Sequence, residues 1–156
     1  MSEDKYRAAL DAAAKQLSCR ALSTKMLRGK LLAKGHDEEA ADYALAWLTE
    51  RSLLSDGQFA ENVVRSYARR GYGAARIRQM LYEKKIPREL WDMALEALPP
   101  QHDAIDEFLQ KRFRGAKPDP KELKRATDAL LRRGHSWSDI RSALERYVPE
   151  DELPGE

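Results

Sequence analysis

Apolar residues recur along this chain at steps of three and four, with mostly charged positions between them. That period marks amphipathic helices, each turning one face to a core. Tyr6, Leu10, Ala13 and Leu17 predict a first helix from about Glu3 to Ser18. Leu27 and Leu31 predict a second, opened by Ser23 or Thr24 and closed at Gly35, since glycine takes left-handed backbone angles without a Cβ penalty. Asp37 can cap a third helix, with Glu38 and Glu39 favourable in its first turn and Ala40, Ala44, Trp47 and Leu48 facing inward. Ser55 and Gln58 have capping-box spacing ahead of a helix bearing Phe59, Val63 and Tyr67, which Gly71-Tyr72-Gly73 breaks. Ile77 and Leu81 mark the next. Pro87 suits the first position of the one after, which buries Leu90 or Trp91, Ala94 and Leu98 and ends at Pro99-Pro100. Ile105, Leu109 and Phe113 share a face. A connector over residues 115–120 leads into a helix from about Lys121 to Arg133 that buries Leu123, Ala126 and Leu130. Gly134 stops it, and Ser136 caps a last helix with Ile140, Leu144 and Tyr147 inward. No alternating run reads as a strand, so the expected fold class is all-α.

These helices repeat. Residues 27–48, 77–98 and 126–147 superpose without gaps, at offsets of 50 and 49. Leu31, Leu81 and Leu130 coincide, as do Leu45, Leu95 and Leu144. The bases Lys34, Lys84 and Arg133 fall at one helix end, and Gly35, Lys85 and Gly134 at the turn beyond it. The expected plan is three tandem three-helix units over 1–54, 55–99 and 100–149, with an acidic disordered tail over 150–156. One such unit has a small core, so neighbours must pack together.

Charge refines the picture. Net charge is only +2, but bases are concentrated in two belts. Between Arg65 and Arg88 stand eight bases and one acid, Glu83; between Lys111 and Arg133 stand nine bases and three acids. Such belts attract phosphate or an acidic protein surface. The first supplies Arg65, Arg69, Arg70, Arg76, Arg78, Lys84 and Lys85 as candidate binding residues. The second supplies Lys111, Arg112, Lys121, Lys124, Arg125, Arg132 and Arg133.

Chemistry for catalysis is sparse. His36, His102 and His135 are far apart, and the single cysteine, Cys19, completes no zinc motif and no internal disulfide. No Walker-type phosphate loop and no Gly-x-Ser-x-Gly motif occurs. The expectation is a binding protein rather than an enzyme, without metal or cofactor. A lone cysteine and the lack of a membrane-length apolar stretch or signal peptide fit the cytoplasm. Trp47, Trp91 and Trp137 fall at inequivalent repeat positions and read as local packing residues.

The segment 53–87 carries three further patterns: Leu-Leu-x-Asp-x-x-Phe-Ala from Leu53, Arg-Ser-x-Ala-Arg-Arg-Gly from Arg65, and Gly-x-x-Arg-Ile-Arg-x-x-Leu from Gly73. In these it resembles the RecX family, bacterial modulators of the RecA recombinase. Lys30-Leu-Leu-Ala-Lys-Gly35 is similar to that family's first repeat, and residues 104–147 to its divergent third, so the resemblance covers nearly the whole chain. It implies an elongated, curved array of three helical units, acting as a monomer. It also implies binding in the groove of the RecA–single-stranded DNA filament, with weaker contact to duplex DNA. The consequence would be inhibition of RecA's ATP hydrolysis, strand exchange and coprotease activity, restraining recombination and the SOS response. The basic belts suit this, because cationic helices lying along phosphates give salt-sensitive, sequence-tolerant affinity.

Two other readings compete. The second and third helices of a unit, joined at Gly35 or Gly134, could act as a helix-turn-helix that binds DNA alone. Residues 37–48 count against it, with four acids and no base. The array could also be a scaffold for an acidic protein, independent of RecA and DNA.

Overall fold

A computed structural model describes residues 2–155. Among them are nine α-helices and no strand. They are α1 (Ser2–Cys19), α2 (Thr24–Ala33), α3 (Glu38–Glu50), α4 (Asp56–Arg69), α5 (Ala74–Glu83), α6 (Trp91–Leu95), α7 (His102–Phe113), α8 (Pro120–Arg132) and α9 (Trp137–Leu144). None is long and apolar enough to cross a membrane.

The capping residues act as the sequence suggests. Ser23, Asp37 and Ser136 accept hydrogen bonds from the amides of Met26, Ala40 and Asp139 at 3.2, 2.8 and 3.2 Å. At α4 only half of the capping box forms. Ser55 accepts from the Gln58 amide at 3.2 Å, but the Gln58 side chain turns forward to Asn62 at 3.0 Å.

The last helix of the second repeat departs from its expected form. Pro87 sits outside it, leading into a 3-10 turn over Arg88–Leu90 and then the five-residue α6. Glu96, Ala97 and Leu98 close with three-residue backbone bonds to Met93, Ala94 and Leu95. Pro99 explains this end, since a residue before proline is disfavoured in the α region. Trp91 and Ala94 are buried as expected, whereas Leu90 and Leu98 are half-buried. The acidic end, read from sequence as a disordered tail, is partly structured. Glu150–Glu152 form a 3-10 turn, Lys117 reaches Glu152 at 3.2 Å, and Leu153 packs against the last core. Glu156 lies outside the described residues.

The chain forms two compact units whose borders fall inside α4, α5 and α6. The first comprises residues 1–62 and 81–92. Its core joins Ala9 and Ala13 of α1 to Leu27 and Leu31 of α2 and Ala40, Ala44 and Leu48 of α3. The second comprises residues 63–80 and 93–156. Its main cluster holds Ile105, Leu109 and Phe113 of α7 with Leu123, Ala126 and Leu130 of α8 and Ile140 and Leu144 of α9. Burying a large aliphatic side chain contributes about 1.5–3 kcal/mol, which is why these stripes, more than propensity, hold the helices.

A main-chain seam lies inside the second unit. The Gly73 amide in the turn after α4 donates to Arg133 O at 2.7 Å, and the Ala75 amide in the first turn of α5 donates to Gly134 O at 3.2 Å. A Cβ on Gly73 would stand 2.5 Å from Gly134 O, and one on Gly134 would stand 2.3 Å from the Arg76 amide nitrogen. The two turns can approach this closely only because neither position has a side chain. Gly134 also has φ +92°, a left-handed angle.

His135 locks the same seam. It is buried, and its Nε2 lies 2.9 Å from Gly71 O. A carbonyl only accepts, so Nε2 carries the hydrogen, and Nδ1 is left buried without a partner among the described residues. Burial pushes the imidazole pKa below its ordinary value, and Arg133 adds to this, while the Gly71 bond and Asp139 pull the other way. The folded-state pKa is therefore lower than the unfolded one. The unfolded chain binds more protons as pH falls, so His135 stabilises the fold fully above about 6.5 and loses that effect as pH drops through the folded pKa. An NMR titration is expected to place the His135 midpoint below the ordinary histidine value of about 6.5. A midpoint at or above that value would show that burial does not disfavour the charged ring.

Candidate functional site

The second unit gathers cations that are distant in sequence. Arg69 and Arg70 at the end of α4, Lys111 and Arg112 on α7, and Arg133 just past α8 line one groove of ≈ 450 Å³. The seam explains the convergence: it fixes the turn after α4 against the turn after α8, bringing Arg133 to the bank formed by Arg69 and Arg70.

Aromatic rings hold several of these guanidinium groups. Arg133 lies 4.9 Å and Arg112 5.8 Å from the centre of the Phe108 ring. Arg70 sits 4.9 Å from Tyr67 and 5.6 Å from Tyr72, whose rings meet edge to face at 5.5 Å. Each such pairing contributes about 0.5–1 kcal/mol at an exposed site, and it restricts a flexible side chain without neutralising its charge. Gly71 assists, since a Cβ there would come 2.9 Å from Arg133 Nη1. The acid on the groove wall, Glu107, pairs with Lys111 at 3.0 Å. A net positive cleft with planar guanidinium donors suits oxyanions, phosphate or carboxylate, because the fork matches two oxygens at once.

Other sequence candidates lie elsewhere. Arg65 is exposed on α4 but makes a polar contact of its own. Arg76 is half-buried, with its backbone against Gly134, so packing constrains it. Arg78 lines a smaller groove with Gln101 and Asp139. Lys121, Lys124, Arg125 and Arg132 are exposed on α8, opposite its buried stripe, and Lys124 pairs with Asp128 at 3.1 Å. Lys84 and Lys85 belong to the first unit, where Lys85 lines a separate cleft.

Phe108 was not among the sequence candidates. It stands off the Ile105–Leu109–Phe113 stripe, and its available signal was Arg112 four residues on, one helical turn away. The first turn of α3 is occupied within its own unit. Asp37 and Glu39 bind Lys5 at 3.0 and 3.3 Å, and Asp42 binds Arg28 at 2.8 Å. A recognition helix for duplex DNA needs free cationic or amide groups at that end, so this arrangement weighs against the helix-turn-helix reading.

Fold and groove together define a tandem helical-repeat protein with a cationic, aromatic-buttressed cleft. Comparison with known proteins gives the family. Residues 9–48, 55–95 and 101–144 match the models for the first, second and third three-helix domains of RecX. The chain is 38% identical over 132 residues to the regulatory protein RecX of Stenotrophomonas maltophilia (strain R551-3), spanning 83% of this chain and 80% of that protein. It is 32% identical over 143 residues to the regulatory protein RecX of Vibrio campbellii, spanning 90% and 92%. The fold matches the crystal structure of RecX from Lactobacillus salivarius with a TM-score of 0.83 at 20% identity, over 93% of this chain and 97% of that one. The chain belongs to the RecX family, a family of regulatory proteins.

Proposed function

We propose that this protein is a negative regulator of RecA that binds the RecA–single-stranded DNA filament and restrains its ATPase, strand-exchange and coprotease activities. Family membership supports a role in regulating RecA. The observation that carries the site assignment is the groove in which Arg69, Arg70, Lys111, Arg112 and Arg133 converge from three separate places in the chain. A filament on DNA offers two kinds of oxyanion, phosphates and acidic side chains, and the groove fits either. The exposed bases of α8 extend the attraction. The protein acts by binding, as a cytoplasmic monomer without cofactor, and the outcome is restraint of recombination and of the SOS response.

The test is RecA's ATP hydrolysis on single-stranded DNA with this protein titrated in. Hydrolysis is expected to fall in a dose-dependent way at less than one protein per RecA, and the effect to weaken as salt rises from about 50 to 200 mM. Unchanged hydrolysis at equimolar protein would remove the assignment. A sequence-specific footprint on duplex DNA without RecA would favour an independent DNA-binding role instead.

A further inference from the structure

The three repeats close their second helices with one and the same turn. Gly35, Lys85 and Gly134 each donate to the carbonyl three residues back, at 3.0, 2.9 and 3.0 Å. His36, Ile86 and His135 each donate to the carbonyl five back, Leu31, Leu81 and Leu130, all at 3.1 Å. This is a Schellman closure, and its left-handed residue is ordinarily glycine. The first and third repeats obey, with φ +97° and +92°, whereas the second has a lysine at φ +58°. A side chain held in left-handed backbone where the fold's own solution is glycine points to a role for that side chain.

Its surroundings say which role. At Gly134 the turn is shut against a neighbouring backbone. At Lys85 the equivalent turn lines an open cleft of ≈ 800 Å³ within the first unit, which Thr24 and Lys25 at the start of α2 also line. Among the described residues no backbone hydrogen bond bridges the cleft, and the Thr24 amide is satisfied by Asp56 at 2.7 Å. Neither Lys25 nor Lys85 has an ion-pair partner among the described residues. Arg28 adds little charge, being held by Asp42 at 2.8 Å. Arg88 stands on the rim, 5.2 Å from the Trp91 ring. Tyr82, 73% exposed although aromatic, lines the same cleft. The acids present are Asp56, engaged as above, and Glu83, which also has a contact of its own.

We propose that this cleft is a second binding site, for single-stranded nucleic acid, in which Lys85 and Lys25 hold successive phosphates and Tyr82 stacks an unpaired base. An exposed aromatic sharing a cleft with free cations is the arrangement that single strands reward. Every base offers a flat face, while a duplex keeps its bases stacked and an acidic protein has no use for the ring. The inference rests on the reading that the chain engages a DNA-containing filament, and it places one strand contact away from the groove of the second unit.

The experiment uses the full chain and a fluorescent short oligothymidylate without RecA, so its failure leaves the ATPase restraint untouched. Lys85→Gly is expected to raise Tm by roughly 1–3 °C, because the strain is relieved, and to weaken oligonucleotide binding about tenfold. Lys85→Asn, which tolerates left-handed angles but carries no charge, is expected to weaken binding to the same degree and to flatten the salt dependence. Tyr82→Ala is expected to weaken oligothymidylate binding about tenfold while leaving binding of inorganic polyphosphate unchanged. Tyr43→Ala, another exposed tyrosine, serves as the control with unchanged binding. Full oligonucleotide affinity in Lys85→Gly and Lys85→Asn overturns the proposal. So does a Tyr82→Ala weakening that is equal for polyphosphate and oligothymidylate. A fall in Tm on Lys85→Gly also overturns it, since the lysine would then be there for packing.

Discussion

Gly134→Ala is expected to cost about 3 kcal/mol or more, which at this chain length lowers Tm by roughly 6–12 °C. Two separate penalties act at this position: left-handed backbone, and a Cβ 2.3 Å from a main-chain nitrogen that cannot swing aside. Three other glycines isolate the contributions. Gly35 has φ +97° and nothing within 4 Å of its added Cβ, so Gly35→Ala meets strain alone, about 1 kcal/mol. Gly73 has an ordinary backbone and a Cβ that would meet Gly134 O at 2.5 Å, so Gly73→Ala meets the clash alone. Gly29 lies inside α2 with neither problem, and Gly29→Ala is expected to stabilise by about 0.4–1 kcal/mol. Thermal unfolding followed by circular dichroism orders the four. If Gly134→Ala costs no more than Gly35→Ala, the seam contributes nothing to stability. Because Arg133 directly precedes Gly134, loosening the seam is also expected to blunt the groove.

The second large effect concerns charge. Arg69→Glu combined with Arg112→Glu is expected to weaken binding to the RecA–single-stranded DNA filament on the order of 100-fold, counting about 1.4 kcal/mol for each charge pairing removed. Helicity is expected to stay unchanged, since both side chains are exposed, and Tm to fall by no more than roughly 1–4 °C from the lost contact of Arg112 with Phe108. These two are chosen over Arg133 and Arg76, whose substitution would also disturb the seam. The salt dependence of binding is expected to shallow as well, by about one unit of slope for each phosphate no longer neutralised. Retention of full affinity and full ATPase inhibition by the double variant would show that the groove is not the binding surface.

Much of the fold was legible in the sequence because it is written in local chemistry. Leu27 and Leu31, or Ile105, Leu109 and Phe113, mark a buried stripe by spacing alone. Ser23, Asp37 and Ser136 mark helix starts because their oxygens have an amide to satisfy. The second repeat's last helix was harder to read. Its apolar spacing fits a full helix, but Pro99 acts backward on Leu98 and the helix ends at Leu95. The groove was only half legible. The two belts were plain as composition, yet nothing local tells that Arg69 meets Lys111 and Arg112, because that meeting depends on backbone contacts between Gly73 and Gly134. Lys85 was visible as the odd residue at a repeated turn. Its left-handed angle and open cleft are properties of the folded chain.

The seam also bears on how a repeat array can diversify. Apart from the His135 imidazole, it is made of main-chain amides and carbonyls, which every residue except proline supplies in full. Its demand on heredity is therefore narrow: two positions without a Cβ, one histidine, and a helix turn on each side. After duplication of an ancestral unit, the remaining surface is free to drift toward different charges and different ligands without unfastening the joint. The scarcity of matching residues among the three aligned segments, against the constancy of the turns, is what such a history would leave behind.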